Sequence, residues 1–364
     1  MLPSPLYIVS APFEAARQLH AQPDGHATQR LHGHSFWATL RCAAGAGVAT
    51  FPGGEVQALQ TRLRAATGQL DYQHLNDFLP SPSDTSLAQW LHAQCAVDGP
   101  AVLELQSTTQ QGVELRYASD NATATPSTTR VWRRYVFQSA HRLPHVPAGH
   151  KCGNMHGHGF EAILHSEHAG ASVDATQAYA ALDACWAPIQ AQLHHACLNE
   201  LAGLENPTSE VLSSWIWARL KPALPALSQV TVFETASCGA VFDGSQYQIW
   251  KDFTLDSAVQ LKAAPAGEPR AQLHGHTYTL RLHLRAPLDQ VMGWTVDFGD
   301  VKELFTPIFK TLDHQALHQI PDLADCDTAT VATWILDKSR STLPQVCRID
   351  LFETRGCGAS VSAA

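Results

Sequence analysis

The chain has 364 residues, of which 45% are hydrophobic and 16% charged, a composition typical of globular proteins with a substantial core. Its net charge of −9 argues against nucleic acid as an electrostatic partner, but not against a small anionic substrate in a local basic pocket. No apolar run approaches the length of about 18 residues that a membrane span needs, and the N-terminus lacks the basic and apolar regions of a secretory signal. Nine cysteines without a C-x-x-C pair indicate reduced thiols, so we expect a cytoplasmic protein.

Three related stretches recur along the chain and predict three copies of one structural unit. Each begins with a phenylalanine and ends just after a His-Gly-His triplet: FEAARQLHAQPDGHATQRLHGHSF, FQSAHRLPHVPAGHKCGNMHGHGF and FTLDSAVQLKAAPAGEPRAQLHGHTY. In each copy there follow a helical stretch, a segment QLDYQHLND, QLHHACLNE or TLDHQALHQ, a second helical stretch, and an apolar run with a glutamate. Those glutamates are Glu104, Glu234 and Glu353.

Each unit is predicted to fold as strand, strand, helix, helix, strand, strand. In the third unit, TYTLRLHLRA alternates apolar and polar residues as a half-buried strand does. VKELFTPIFKTL, after Asp297, has the spacing of an amphipathic helix, and DTATVATWILDKSRS is a second helix that Asp327 or Thr328 could cap. We expect the units at residues 1–118, 131–246 and 247–364, with a small, polar linker at 119–130 and hardly any linker between units two and three.

The residues most suggestive of chemistry are three histidines of unit two. His156 and His158 are two residues apart and therefore share one face of a strand, where His141 could join them from an antiparallel neighbour. Three neutral imidazoles suit zinc and leave its fourth position open, as in catalytic sites. The alternative is that they are ordinary surface histidines in a chain with 20 of them, but the broken copies of the motif in the other units argue against it.

Unit two resembles the 6-pyruvoyl-tetrahydropterin synthase family through AHRLPHVPAGHKCG, HGHGF, LENPTSEVL and FET. The short spacing between Cys152 and His156 is similar to its bacterial 6-carboxytetrahydropterin synthase branch, which serves queuosine biosynthesis. Units one and three resemble the same family with more departures. The resemblance implies an α+β tunnelling fold of tandem ββααββ units, in which three units close one antiparallel β-barrel with helices outside. Because such rings commonly stack in pairs, we expect a homodimer of single-chain barrels.

The resemblance also implies the zinc ligands His141, His156 and His158, and a reactive thiol at Cys152. Units one and three depart from this pattern at the first ligand and at the thiol, so only unit two is expected to assemble a metal and thiol site. Unit one has Arg17 and Thr28 at these two positions, and unit three has Val259 and Arg270.

The family's Asp-His pair is retained only in unit three, as Asp313-His314, whereas unit two has His194-His195. In the family the active site lies between neighbouring units. The resemblance therefore implies that Asp313 and His314 face Cys152 at the junction of units two and three. The alternative is that His195 acts without an aspartate.

The repeated glutamate is implied to anchor the substrate, because a buried carboxylate can accept paired N–H bonds from a pterin ring. This role falls to Glu234, or to Glu353 if the pocket draws its carboxylate from the neighbouring unit. An ordinary strand glutamate is the competing interpretation, above all for Glu104. Thr208 either caps the second helix or contacts the pterin, and we prefer capping.

The implied substrate is 7,8-dihydroneopterin triphosphate. Zinc would lower the pKa of its side-chain hydroxyls, Cys152 would act as a thiolate base, and the Asp-His pair would relay protons. The bacterial branch releases triphosphate and acetaldehyde and gives 6-carboxytetrahydropterin, whereas the other branch keeps the side chain as a pyruvoyl group. Two further alternatives are a cupin-like oxygenase or hydrolase and a catalytically degenerate, pterin-binding scaffold protein.

Overall fold

The helices and strands of the computed structural model follow the predicted order in every unit. The structure describes residues 5–20, 22, 25–45, 47–118 and 125–363, so residues 119–124 of the expected linker lie outside the described residues. Unit one contains β1 (Leu6–Arg17), β2 (His32–Cys42), α1 (Glu55–Gly68), β3 (Gln73–His74), α2 (Asp84–Cys95), β4 (Ala101–Thr108) and β5 (Gln111–Tyr117). Unit two contains β6 (Thr128–His141), β7 (His156–Ala169), α3 (Ala175–Leu193), β8 (Ala196–Cys197), α4 (Ser209–Leu220), β9 (Leu227–Thr235) and β10 (Cys238–Phe242). Unit three contains β11 (Tyr247–Val259), β12 (His274–Arg285), α5 (Phe298–Leu312), α6 (Thr328–Arg340), β13 (Val346–Thr354) and β14 (Cys357–Ser362).

Short polar side chains fix where most of the helices begin. Asp297 accepts hydrogen bonds from the backbone N–H groups of Gly299 and Asp300 at the start of α5. Asp327 does the same for Ala329 and Thr330 at the start of α6, so of the two predicted caps the aspartate is the one used. No helix among the described residues is long and apolar enough to cross a membrane.

The twelve long strands form a closed antiparallel barrel. Hydrogen-bonded neighbours follow the order β1-β2-β4-β5-β6-β7-β9-β10-β11-β12-β13-β14, and β14 returns to pair with β1. In this last seam Leu6 lies opposite Ser360, Tyr7 opposite Ala359 and Ile8 opposite Gly358. The short strands β3 and β8, which the sequence did not predict, pair in parallel with β1 and β6. The expectation that three units close one barrel within a single chain is confirmed.

Alternate residues of each strand face the helices or the barrel interior. On the helix side the aromatic rings of Phe137 and Phe160 stack at 5.4 Å, and Trp186 of α3 packs on Phe137. The interior side is polar: Arg41 of β2 forms ion pairs with Glu104 of β4 and Glu114 of β5. The hydrophobic core therefore lies between the sheet and the surrounding helices, not inside the barrel.

Gly239 lies in a tightly packed contact between units two and three, which a substitution at this position can test. A Cβ atom at this position of β10 would collide with the carbonyl oxygen of Val232 and with the indole ring of Trp250. We expect Gly239→Val to lower the free energy of unfolding by about 1–3 kcal/mol, measured by urea denaturation, because the crowded strands must shift. Gly68→Ala is the matched control, since nothing lies within 4 Å of a Cβ there. Equal stability of the valine variant and the wild type would contradict this packing.

Candidate active site

The strand register brings the three histidines of unit two together. His141, the last residue of β6, lies opposite His156, the first residue of β7, and His158 shares the face of His156. One ligand atom from each of these residues and from Glu234 of β9 lies within 4.8 Å of all the others. It is the one such group of potential metal ligands found in the part of the chain that the structure describes.

The hydrogen bonds made by these histidines leave a ring nitrogen of His141 and one of His158 without a partner. Nδ1 of His141 donates to the carbonyl oxygen of Pro207 at 3.1 Å, and Nδ1 of His156 donates to that of Asn154 at 2.8 Å. The Nε2 atoms of His141 and His158 are buried without a hydrogen-bond partner. Since buried polar atoms normally have partners, these two nitrogens are available to coordinate a metal ion.

Burial also keeps the imidazoles in the form that binds metals. It lowers the pKa of His141 and of His158, against the opposing effect of the Glu234 carboxylate. Neutral imidazoles, an adjacent carboxylate and unpartnered nitrogens together fit a zinc ion.

Glu234 is held in place by the helix that follows the histidines. Its Oε2 accepts a hydrogen bond from the hydroxyl of Ser209, the first residue of α4, at 2.7 Å. Its Oε1 lies 3.5 Å from Nε2 of His158. One carboxylate oxygen thus faces the histidines while the other is anchored.

The equivalence predicted for Glu104 is wrong. The strand following Glu234 begins at a bulge, where Thr235 pairs with Cys238. Thr354 pairs with Cys357 and Thr108 with Gln111 at the same bulge of the other units. The residue before the threonine is Glu353 in unit three but Ser107 in unit one. Glu104 lies three residues too early and points into the barrel toward Arg41.

Glu353 does not take part in the unit two site. Its carboxylate accepts hydrogen bonds from Nε2 of Gln57, in α1 of unit one, at 2.7 Å and from the hydroxyl of Thr328. It belongs to the corresponding position of unit three, at the junction with unit one. Glu234 is therefore the carboxylate of the unit two cluster.

A segment of unit three folds over the start of α4, next to this cluster. The side-chain amide of Asn206 donates to the carbonyl oxygen of Met292 at 2.7 Å, and the hydroxyl of Thr208 donates to that of Gly293. Thr208 also accepts from the backbone N–H of Val211 at 3.2 Å, so it caps α4 as expected. The unit two site thus lies where units two and three meet.

Glu210 strengthens this junction and was missed in the sequence. Its Oε1 accepts the backbone N–H of Thr295 at 2.7 Å and also the threonine hydroxyl. Burial raises the pKa of Glu210 to about 7, partly offset by these hydrogen bonds. No sequence signal distinguishes Glu210 from an exposed helix glutamate, because its partner Thr295 belongs to unit three.

Cys152 lies on the loop between β6 and β7, in the middle of a short 3₁₀ turn, Lys151–Gly153. Thr28 and Arg270 occupy the middle of the equivalent turns. Burial and the carboxylates of Glu234 and Asp297 raise the pKa of the Cys152 thiol. The sulfur is therefore a thiol at neutral pH unless a cation or a base lies beside it.

Asp313 and His314 form the expected pair, with Nδ1 of His314 2.9 Å from Oδ2 of Asp313. The expectation that they face Cys152 within one chain is wrong. Asp297, at the start of the 15-residue helix α5, lies 3.9 Å from His150 beside Cys152. Asp313 follows the other end of that helix, roughly 22 Å away at 1.5 Å per residue. The His314 side chain is 76% exposed and faces solvent, whereas that of Asp313 is 24% exposed.

The alternative residue, His195, occupies the same position in unit two. Its backbone N–H donates to the carbonyl oxygen of Gln138 at 2.7 Å, as that of His314 does to Asp256 at 2.6 Å. Both have a left-handed backbone, with φ of 60° and 57°. The ring of His195 stacks on His194 at 3.9 Å and has no aspartate partner among the described residues.

Two parts of this chain are similar to known proteins of one family. The sequence pattern of the family described as 6-pyruvoyl tetrahydropterin synthase matches residues 130–245 and 248–364. The chain belongs to this family. The 6-carboxy-5,6,7,8-tetrahydropterin synthase of Synechocystis sp. is 33% identical over 117 residues, which are 30% of this chain and 89% of that protein. This chain is thus an enzyme of the 6-pyruvoyl tetrahydropterin synthase family that carries the family's unit in tandem.

Two further relatives are similar to a single unit. Dihydroneopterin monophosphate aldolase of Pyrococcus furiosus is 30% identical over 93 residues, which are 25% of this chain and 78% of that protein. The solved structure of the Caenorhabditis elegans 6-pyruvoyl tetrahydropterin synthase has 19% identity and a TM-score of 0.30, and the match covers 32% of this chain and 95% of that one.

His141 and His274 allow a matched test of the metal site. We expect His141→Ala to abolish stoichiometric zinc binding, because two imidazoles and one carboxylate remain. His274→Ala removes the histidine of unit three that corresponds to His156 and should leave the zinc content unchanged. Metal per chain is measured by inductively coupled plasma mass spectrometry after dialysis. Equal zinc content in the two variants would contradict the assignment to unit two.

Proposed function

We propose that this chain converts 7,8-dihydroneopterin triphosphate into 6-carboxytetrahydropterin, with release of triphosphate and acetaldehyde, at a zinc site in unit two. The cluster of His141, His156, His158 and Glu234 carries the proposal. Two of its imidazole nitrogens lack partners, burial and its nearby carboxylate raise the pKa of the Cys152 thiol, and it lies at a junction between units. The name of the Synechocystis relative supports this product. We place the reaction in the queuosine precursor pathway and in the cytoplasm, which the nine free cysteines support.

Glu234 would bind the pterin ring. Ser209 holds one of its oxygens and leaves Oε1 directed toward the histidines. In unit three, by contrast, Gln57 and Thr328 take both oxygens of Glu353. Oε1 of Glu234 is open and Oε2 can accept a second hydrogen bond, so the carboxylate suits the paired N–H groups of an aminopyrimidinone ring, which would hold the substrate side chain near the imidazoles.

Cys152 would perform the proton transfers. A zinc ion on the three imidazoles would act as a Lewis acid toward the substrate's side-chain hydroxyls. Because burial raises the pKa of the thiol, Cys152 needs a neighbouring base or cation to exchange protons at neutral pH. The carboxylate of Asp297, at the start of α5, is a further charge beside the thiol.

We also propose that a second copy of the chain supplies Asp313 and His314 to this site. The His314 side chain is exposed, and the pair lies at the opposite end of α5 from the Cys152 loop of its own chain. Hydrogen bonding to Asp313 raises the pKa of His314, which makes it a stronger base. Two barrels stacked end to end would form a homodimer with two composite sites. The alternative, His195 acting within unit two, needs no partner chain.

The reaction is tested by incubating the zinc-loaded protein with 7,8-dihydroneopterin triphosphate and identifying the products by mass spectrometry. We expect 6-carboxytetrahydropterin and acetaldehyde, and a loss of activity of at least about 10²-fold in Cys152→Ala, since a positioned acid–base group contributes this much. A 6-pyruvoyl product would favour the other branch of the family. Tight pterin binding without turnover would favour a scaffold protein.

The origin of the Asp-His pair is tested by mixing two inactive variants, Cys152→Ala and His314→Ala. If the pair acts between chains, a mixed dimer contains one intact and one doubly altered site, and random mixing restores about a quarter of wild-type activity. If the pair acts within one chain, no mixed dimer has an intact site and activity stays absent. Full activity of His314→Ala alone would instead favour His195.

A further inference from the structure

Unit one carries an ion pair where unit two carries its imidazole cluster. Arg17, the last residue of β1, lies opposite His32, as His141 lies opposite His156. Its guanidinium NH1 is 2.7 Å from Oδ1 of Asp84, and the two side chains are only 3% and 2% exposed. Such a buried pair persists only when other groups satisfy its remaining hydrogen bonds.

The carboxylate of this pair comes from a different element than in unit two. Asp84 is the first residue of α2, and the corresponding first residue of α4 in unit two is Ser209. On the strand, Ser107 occupies the position that Glu234 occupies in β9. The hydroxyl of Ser107 donates to Oδ2 of Asp84 at 2.7 Å, as that of Ser209 donates to Glu234 at 2.7 Å. Acid and hydroxyl have thus exchanged positions between strand and helix, and the hydrogen bond between them is kept.

Arg17 also takes over the remaining contacts of the site. Its NH1 donates to the carbonyl oxygen of Pro82 at 2.9 Å, the proline that corresponds to the partner of His141 in unit two. Its NH2 donates to Nε2 of His34 at 3.2 Å. Burial and Arg17 lower the pKa of His34 to about 4, so its imidazole is neutral and can accept this bond.

A tyrosine of unit two completes the cluster across the unit boundary. The hydroxyl of Tyr179, in α3, donates to Oδ2 of Asp84 at 2.7 Å. The neighbouring Thr85 donates to the carbonyl oxygen of Val173 at 3.4 Å. The ion pair is therefore part of the interface between units one and two.

We propose that Arg17 permanently occupies, in unit one, the place that unit two provides for a metal ion. The guanidinium supplies the positive charge, Asp84 balances it, and the cluster holds unit one against unit two through Tyr179. Unit one therefore binds no metal ion at this position. Its role is to complete the barrel and to stabilise the interface with unit two.

Arg17→His tests the position of the guanidinium. With His32 and His34 it would present three imidazoles beside the Asp84 carboxylate, so we expect the chain to bind one zinc ion more than wild type, whatever the wild-type content. Arg64→His, on an exposed face of α1, adds a histidine elsewhere and should bind no more than wild type. A folded Arg17→His chain without the additional zinc would overturn the proposal.

Stability measurements test the structural role without any metal. In the presence of a chelator, Arg17→Met leaves Asp84 buried without its cation, and we expect the melting temperature to fall by roughly 5 °C or more. The double variant Arg17→Met, Asp84→Asn should melt above Arg17→Met alone, because the unpaired charge is gone. Tyr179→Phe, a milder change, should lower the melting temperature by a few degrees. Wild-type melting of both Arg17→Met and Tyr179→Phe would show that the cluster does not hold the units together.

Discussion

Backbone hydrogen bonds between β14 and β1 close the last seam of the barrel, and the other parts of the structure depend on that closure. Each unit contributes four long strands, which would expose two edges if the unit stood alone. Only when the three sheets join does every long strand have two neighbours, and only then do the helices of one unit lie against the site of the next. The seam joins residues at least 350 positions apart, so this contact forms late in synthesis.

Joining the units in one chain frees each copy to change independently. In a ring of identical subunits, a substitution in one site appears in all three. Here the last residue of the first strand differs in each unit: it is Arg17, His141 or Val259. An equivalent position inside the barrel also differs, with Arg41, His165 or His283. Unit two keeps the imidazole cluster, whereas units one and three fill the corresponding positions with their own side chains. The result is one cluster of potential metal ligands among the described residues of the ring.

The sequence predicted the parts of the site that depend on local spacing. Strand alternation placed His156 and His158 on one face, and the repeats placed His141 opposite them. The glutamates were harder, because unit one has Ser107 at the position equivalent to Glu234 and an unrelated glutamate, Glu104, three residues earlier in the same strand. The equivalent residues of the three units are those at the same separation before the shared glycines Gly112, Gly239 and Gly358.

Other features depended on contacts that no spacing reveals. The exchange between Asp84 and Ser107 involves a helix and a strand that meet only in the folded unit. The position of Asp313 and His314 depends on the length of α5, which carries them away from Cys152 although the start of the same helix lies beside it. Glu210 was passed over because a buried carboxylate cannot be distinguished from an exposed one in a helix without its tertiary partner, Thr295.

The bonds from Asn206, Thr208 and Glu210 to the segment around Gly293 have a consequence for dilution. In a ring of separate subunits, the corresponding contact dissociates as the protein concentration falls, and the pocket is lost with it. Here one continuous chain contains both the start of α4 and the segment around Gly293. The connecting backbone therefore sets the effective concentration of each partner near the other, which is in the millimolar range for short tethers. This half of the pocket therefore stays assembled in a chain present at only a few copies per cell.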